Sequence, residues 1–153
     1  EDMAMKKGIS VQLAKEMDGT LVKRVFATAR ENGGLIEITD HAKDLKGADV
    51  IYGDVWASMG EEAQIPERVG LLSPFRVTMD TLKATENPDV LYLHCLPSFH
   101  DFETKMAKEW QAKGVDIREV TDEVFRSRHS VVFDEAENRM HSIKAVMVAT
   151  IGA

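Results

Sequence analysis

The sequence predicts an α/β fold, a doubly wound and mostly parallel sheet with helices on both faces. Short runs rich in β-branched residues alternate with segments whose apolar residues recur at helical spacing. Such alternation implies crossover connections between parallel strands. The 153 residues are 44% hydrophobic and 29% charged, the composition of one globular domain with its own core.

Six short runs are predicted as strands. They are Ser10–Ala14, Leu35–Thr39, Asp49–Gly53, Val90–His94, Asp116–Val120 and Ser130–Phe133. Residues 1–8 resemble the last turn of a helix, whereas a doubly wound domain normally begins with a strand. We therefore expect residues 1–153 to be a single domain that lacks its first strand.

Two helices are predicted before residue 115. The first begins after Asp18 as N-cap and stops at Gly33-Gly34, and the second is opened by Asp101 and closed near Gly114. Their apolar positions are Leu21, Val22, Val25, Phe26 and Ala29 in the first helix, and Phe102, Met106 and Trp110 in the second.

A last helix has the clearest pattern. Asp134 followed by Glu137 predicts an acidic cap of the capping-box kind. An apolar stripe is formed by Ala136, Met140, Ile143 and Met147. We expect this stripe to pack against the body of the domain.

Charge and cysteine content exclude several classes of function. The net charge of −7 disfavours nucleic acid or an anionic membrane as the main partner. No apolar run approaches the ~20 residues of a membrane span, and residues 1–15 lack a secretory signal, so we expect a cytoplasmic protein. The single cysteine, Cys95, excludes an internal disulfide.

Polar residues follow the predicted strands at the edge where α/β proteins bind ligands. Asp54, directly after a strand, is placed either to hold an ammonium group or to cap the next turn. The connection from Glu61 to Pro74 is either a lid or a solvated connector with one short helix.

Cys95 follows another strand beside His94, which raises the possibility of a catalytic thiol. Neighbouring side chains on extended backbone point to opposite faces, so we expect His94 to be poorly placed to deprotonate Cys95 and Cys95 to act as a small hydrophobe. A zinc site formed by these two residues and His100 lacks the usual ligand spacing.

Arg139 occupies the first turns of the last helix, where the helix dipole disfavours a cation. Either Glu135 and Glu137 neutralise it, or it faces an anionic or carbonyl ligand. The sequence contains neither the dinucleotide nor the phosphate-loop glycine motif.

Taken together, four motifs resemble the ornithine carbamoyltransferase family. They are Ala48–Glu61 with its Asp-x-Trp-x-Ser-Met-Gly pattern, Leu93–Asp101 with its His-Cys-Leu-Pro pattern, Val120–Phe125, and Phe133–Thr150. The first two differ from their counterparts in aspartate carbamoyltransferases. The resemblance implies transfer of a carbamoyl group from carbamoyl phosphate to the side-chain amine of L-ornithine, without a metal or organic cofactor.

The resemblance also implies roles for individual residues. Asp54 would bind the ornithine amino group, and Ser58 and Met59 would close over its amino-acid end. Cys95 and Leu96 would line the reaction point, with Leu96-Pro97 as a cis peptide. Arg139 would hydrogen-bond the carbamoyl carbonyl and stabilise the oxyanion.

The family's carbamoyl phosphate-binding motifs, Ser-x-Arg-Thr and His-Pro-x-Gln, do not occur in the chain. We therefore expect an amino-terminally truncated ornithine-binding domain that is inactive alone, from a parent enzyme that forms trimers or multiples of trimers. Two alternatives remain. One is a non-catalytic amino-acid-binding or assembly module. The other is carbamoylation of putrescine or lysine, which Ser58-Met59-Gly60 disfavours.

Overall fold

A computed structural model describes residues 19–37, 39, 41–58 and 60–151. The helices and strands, in chain order, are α1 (Gly19–Glu31), β1 (Val50–Gly53), α2 (Ile65–Leu72), α3 (Met79–Lys83), β2 (Leu91–His94), α4 (Lys105–Ala112), α5 (Asp122–Phe125) and α6 (Val132–Ile151). Short 3₁₀ helices occupy Ala42–Leu45, Glu62–Gln64 and Ser73–Phe75. The strand predicted at Ser10–Ala14, the cap predicted at Asp18 and the helical turn predicted at 1–8 lie outside the described residues.

The two strands pair in parallel, from Val50 opposite Leu91 to Gly53 opposite His94. Parallel pairing requires a crossover, and α2 and α3 lie in the segment that supplies it. Ile51 and Tyr92, which pair in this register, are both fully buried. The predicted α/β class with a parallel sheet is confirmed.

Two runs predicted as strands take part in only one bridge each. In the run Asp116–Val120, Val120 bridges Val77, and in the run Ser130–Phe133, Ser130 bridges Tyr92. The second run leaves the sheet early because α6 begins at Val132. These predictions placed backbone beside the sheet correctly but overestimated the length of pairing.

The strand predicted at Leu35–Thr39 is wrong for the residues of that run that the structure describes, 35–37 and 39, which form no strand. Leu35 is 78% exposed. The β-branched composition of the run favours extended backbone, but a strand also needs a neighbour that buries one of its faces.

The helix ends depend on local backbone hydrogen bonds. At the end of α1, Gly34 N–H donates to the Ala29 carbonyl at 2.7 Å and Gly33, with φ 73°, donates to Arg30 at 3.1 Å. The predicted stop is confirmed. Gly114 closes α4 in the same way, as predicted.

The predicted start of α4 at Asp101 is wrong. The N-cap is Thr104, whose hydroxyl accepts from the Ala107 N–H at 3.2 Å. Asp101 instead accepts from the Glu103 N–H at 2.9 Å, which holds a turn ahead of the helix. Both residue types cap helices, and sequence position alone did not distinguish them.

The prediction for the start and packing of α6 is also wrong. The helix begins at Val132, which is fully buried, so Asp134 lies inside the first turn and is not a cap. Beyond Val132 the stripe is uncovered within the described part of the molecule: Met140, Ile143 and Met147 are each more than half exposed. The 20-residue helix is ~30 Å long and extends past the sheet that supports its first turns.

The core has two parts. One joins the sheet to α3, α5 and the start of α6 around Ile51, Tyr92 and Val124. The other lies beneath α4 around Ile65, Ala107 and Ile117. Ile65 belongs to the connection between Glu61 and Pro74, which contains the short helix α2 and the 3₁₀ helix Glu62–Gln64. In the described ranges no helix is long and apolar enough to cross a membrane.

Candidate active site

Asp54 and Cys95 meet at the carboxyl edge of the sheet. Gly53 and His94 are register partners, so the residues that follow them leave the sheet side by side. The Cys95 thiol donates a hydrogen bond to Asp54 Oδ1 at 3.0 Å, and the same oxygen accepts from the Val55 N–H at 2.8 Å. Two positions 41 apart in the chain thus form one polar pair.

This pairing determines the chemistry of Cys95. Partial burial and the hydrogen bond to the Asp54 carboxylate raise the pKa of Cys95 to about 12. The side chain is therefore a neutral thiol at pH 7, a hydrogen-bond donor and not a thiolate nucleophile.

A cleft of about 640 Å³ opens beside this pair. Cys95 and Arg139 both line it, together with Tyr52 and Glu135. The structure therefore places the predicted cysteine, directly after β2, and the predicted arginine, on α6, at the same cleft. A cation facing a cavity lined by a neutral thiol can stabilise negative charge that develops on a bound carbonyl oxygen.

The two carboxylates that the sequence offered to neutralise the charge of Arg139 have other partners. Glu135 is engaged by the sheet, and Glu137 lies 3.7 Å from His141. Among the residues that the structure describes, Arg139 makes no ion pair with a carboxylate. Its charge is free to face the cleft.

Glu135, which the sequence offered only as a neutralising partner of Arg139, lines the cleft and bonds to the sheet. Its carboxylate accepts a hydrogen bond from the Tyr52 hydroxyl on β1 and another from the His94 N–H on β2, the latter at 3.0 Å. The bond to Glu135 raises the pKa of Tyr52. The side chain thus ties the first turn of α6 to both strands. An acid in the first helical turn is common for electrostatic reasons, so its type alone gave no signal.

The turn after β2 is held from inside the domain. His94 is buried, its Nδ1 accepts from the Leu96 N–H at 3.0 Å, and its Nε2 lies 3.2 Å from Glu119 Oε1. The buried Glu119 also accepts from the Ser98 hydroxyl at 2.7 Å and the Phe99 N–H at 2.6 Å. His94 therefore faces away from Cys95, as predicted.

Leu96 lies in this turn with φ 45°, and the Leu96-Pro97 peptide is cis, as the resemblance implied. Its side chain packs against the main core. The three histidine and cysteine side chains considered for zinc do not converge, because His94 faces Glu119, Cys95 faces Asp54, and His100 faces Asp122 at 2.7 Å.

Ser58 lies near a different cavity. It lines an apolar space of about 300 Å³ with Trp56, Ile65 and Phe99. The structure therefore does not bring Ser58 into the cleft of Cys95 and Arg139. Met59 lies outside the described residues.

His100, Asp101 and Asp122 bring three potential ligand atoms within 4.8 Å of one another. The two carboxylates already pair with a cation, because the Arg126 guanidinium lies 2.8 Å from Asp122 and 3.6 Å from Asp101. His100 also stacks on Phe125 with the ring centroids 3.7 Å apart. The arrangement is a salt-bridge network at the end of α5.

Comparison with known proteins places these features in a family context. Residues 3–150 match the family described as aspartate/ornithine carbamoyltransferase, Asp/Orn binding domain. The catabolic ornithine carbamoyltransferase of Bacillus licheniformis is 52% identical over 153 residues, which cover 96% of this chain and 46% of that protein. The ornithine carbamoyltransferase of Limosilactobacillus reuteri is 59% identical over 143 residues, covering 90% and 43%.

A solved structure agrees with these matches. The ornithine carbamoyltransferase of Pyrococcus furiosus superposes with a TM-score of 0.70 at 41% identity, covering 89% of this chain and 38% of that one. The chain thus spans less than half the length of the curated relatives that it matches.

Proposed function

The chain belongs to the aspartate/ornithine carbamoyltransferase family, and on that premise we propose that it supplies the L-ornithine-binding part of an ornithine carbamoyltransferase. One observation carries the proposal. The Asp54–Cys95 pair stands at the edge of a cleft that Arg139 also lines. A carboxylate for an ammonium group and a cation for an oxyanion are the two charges that the reaction needs.

The reaction assigns a step to each residue. Asp54 binds the amino group of ornithine, and the neutral side-chain amine attacks the carbonyl carbon of carbamoyl phosphate. Arg139 stabilises the oxyanion of the tetrahedral intermediate. The C–N bond forms, and the bond from carbon to the phosphate oxygen breaks. The proton that the amine loses passes to the departing phosphate, and citrulline and phosphate are the products.

Cys95 and Leu96 line the point of attack in this proposal. The neutral thiol, whose one proton is donated to Asp54, does not compete as a nucleophile, since its pKa of about 12 keeps it protonated. Most of the remaining rate enhancement comes from holding the amine against the activated carbonyl. Ser58 and Met59 complete the amino-acid end of the site when the loop closes.

The chain by itself is not expected to turn over, because the phosphate-binding motifs expected of the family do not occur in it. The test is citrulline formation by the 153-residue chain and by a hybrid enzyme. The hybrid joins this chain to the part of the Bacillus licheniformis enzyme that it does not match, and the intact Bacillus enzyme is the positive control. Activity of the hybrid but not of the chain supports the proposal.

Two outcomes would contradict it. One is robust turnover by the chain alone. The other is a hybrid that folds and assembles like the Bacillus enzyme yet makes no citrulline. Calorimetric titration of the chain with L-ornithine distinguishes the alternative of a binding module, because a module binds ornithine without carbamoyl phosphate. Assays of the hybrid with putrescine and with lysine show whether it carbamoylates other amines.

Replacing Arg139 with Ala in the hybrid should lower kcat by roughly two to three orders of magnitude, because the oxyanion loses its charged donor. Arg128→Ala is the matched control, since Arg128 is an exposed arginine that donates to the Pro88 carbonyl at 2.9 Å. A reduction of only a few-fold would contradict the role in oxyanion stabilisation and would indicate a structural role for Arg139.

Trimeric assembly and a cytoplasmic location are parts of the same proposal. The mass of the hybrid in solution tests the trimeric assembly.

A further inference from the structure

The loop from Trp56 to Glu61, here called the 56–61 loop, is held by side chains that follow it. The Ser58 N–H donates to Glu61 Oε2 at 3.0 Å, and the Gly60 N–H donates to Glu62 Oε1 at 3.0 Å. Gly60 has φ 89°, a backbone region that favours glycine. Two carboxylates therefore fix the backbone on either side of residue 59.

Packing from below holds only the first residues of this loop: Trp56 is buried, and Ala57 packs against the core beneath α4. The apolar cavity of about 300 Å³ lies directly against it, with Ala57 and Ser58 on the loop side and Val69 and Ile117 among the other lining residues. A loop that covers a cavity lacks the van der Waals contacts that hold a packed segment in one conformation. From Ser58 onward, the conformation of the loop depends on polar contacts instead.

Arg68, on α2, connects the two ends of the 56–61 loop. Its Nη1 donates to the Trp56 carbonyl at 3.0 Å, and its Nη2 donates to Glu61 Oε1 at 2.9 Å. The other oxygen of that carboxylate is the acceptor for the Ser58 N–H. One guanidinium thus holds the first residue of the loop and orients the side chain that holds its middle.

The guanidinium is itself oriented by Gln64, the N-cap of α2. Gln64 Oε1 accepts from Arg68 Nε at 3.1 Å and from Nη2 at 2.9 Å, one helical turn earlier. The planar fork of arginine matches this arrangement, whereas a lysine ammonium carries its donors on a single nitrogen and lacks the fixed fork. About a third of each side chain is exposed, 31% for Arg68 and 34% for Glu61, so water competes only in part.

We propose that Arg68, acting through Glu61, is a positioning residue that sets the conformation of the 56–61 loop and thereby the affinity for L-ornithine. The inference rests on the proposed function, in which Ser58 and Met59 close over the amino-acid end of ornithine. Arg68 touches no reacting atom. Its contribution is to hold the loop in the conformation from which it can close.

The first measurement concerns the loop alone, in the complete 153-residue chain. Amide hydrogen exchange of Ser58, followed by NMR, should accelerate about tenfold or more in Arg68→Gln and in Glu61→Gln. The first substitution frees the accepting Glu61 carboxylate from its guanidinium partner, and the second replaces that carboxylate with a weaker amide acceptor. The double variant should exchange no faster than the faster single variant, since both break the same connection. Arg128→Gln, the matched control, should leave this exchange unchanged.

The second measurement concerns function, in the hybrid enzyme. Arg68→Gln should raise KM for L-ornithine about tenfold, with KM for carbamoyl phosphate within about twofold of the parent value. Arg68→Lys should give an intermediate KM for ornithine, because lysine keeps the charge but not the fork. A general loss of stability would not produce this separation between the two substrates.

Each outcome supports or overturns the positioning role of Arg68. Unchanged exchange at Ser58 in Arg68→Gln overturns the proposal, and so does faster exchange with an unchanged KM for ornithine. If the hybrid with the parent sequence makes no citrulline, the proposed function fails and the positioning role fails with it. The exchange measurement then still shows whether Arg68 holds the loop, so the two failures are distinguishable.

Discussion

Cys95 shows at the scale of a single residue how a neighbouring side chain determines chemical character. A cysteine after a buried strand, next to a histidine, looks like a nucleophile in the sequence. In the fold the histidine turns inward to Glu119, and the thiol donates to Asp54. Its pKa of about 12 makes it less reactive than an ordinary cysteine.

Alkylation should therefore be slow. At pH 8, iodoacetamide should modify the native chain roughly a hundredfold more slowly than a free thiol, because only a small fraction is thiolate. Asp54→Asn should accelerate the reaction at least about tenfold, since the nearby negative charge that raises the pKa is gone. Asp80→Asn, whose carboxylate pairs with Lys83, is the control and should not change the rate.

Mass spectrometry follows the reaction at one site, since the chain has one cysteine. A native rate equal to that of a free thiol would contradict the hydrogen bond to Asp54.

At the scale of elements, the contact between β1 and β2 requires glycine at position 53. A Cβ on Gly53 would lie 2.6 Å from the Tyr92 hydroxyl oxygen and 2.9 Å from His94 Cδ2. The strands can therefore bring Tyr92 and His94 beneath the site only because residue 53 is glycine.

Gly53→Ala should lower the free energy of unfolding by about 1–3 kcal/mol through overpacking. Adding Tyr92→Phe should recover part of that loss, because it removes the closest atom. The midpoint of urea unfolding measures both effects. Gly70→Ala is the control: Gly70 lies in α2 with nothing within 4 Å of the added methyl, so that variant should be neutral or slightly stabilised. A double variant no more stable than Gly53→Ala would refute the steric explanation.

Local signals sufficed for some elements. The runs at β1 and β2 are apolar and bounded by turn residues, and Gly33-Gly34 ends α1 because only glycine readily adopts the required backbone. The meeting of Asp54 and Cys95 also follows from sequence, since each residue comes directly after a strand and parallel strands end at one edge.

Other features required tertiary contacts. Leu35–Thr39 has the composition of a strand but is exposed at Leu35. The start of α6 is decided by the burial of Val132, which the pattern around Asp134 does not reveal. Glu135 and Glu137 are equivalent acids by sequence, and only the position of the sheet determines that the first one bonds to Tyr52 and His94.

The response of the whole molecule to acid depends on carboxylates that bridge distant segments. Asp116 accepts from Arg118 Nη2 at 2.7 Å and pairs with Arg76 at 3.1 Å. Burial opposes its charge, but the hydrogen bonds from Arg118 and the charge of Arg76 hold the pKa of Asp116 below its usual range. Asp122, with His100 and Arg126 as partners, also has a lowered pKa despite the opposing effect of burial.

A carboxyl group with a lowered folded-state pKa stabilises the fold above its unfolded-state pKa, and the stabilisation disappears as pH falls through the folded value. The free energy of unfolding should therefore decline below about pH 4, near the ordinary pKa of aspartate. Asp116→Asn should cost about 1–2 kcal/mol at pH 7 after allowance for solvent screening, and should make the acid decline shallower.

Urea unfolding between about pH 3 and 7 measures this dependence. Asp89→Asn, at an exposed position, is the control and should keep the parent curve. An Asp116→Asn curve parallel to that of the parent would contradict the assignment to this group.

The two hydrogen bonds of Glu135 have a mechanical consequence. They fix the rotation and the axial position of α6 against the ends of both strands, and Arg139 follows four residues later, ~6 Å along the same stiff axis. The far half of the helix carries exposed apolar side chains in the described part of the molecule, with Val146, Val148 and Ile151 more than 60% exposed. A force applied there is transmitted along α6, which Glu135 holds at the sheet. Displacement of the outer end of the helix therefore changes the angle at which the Arg139 guanidinium enters the cleft.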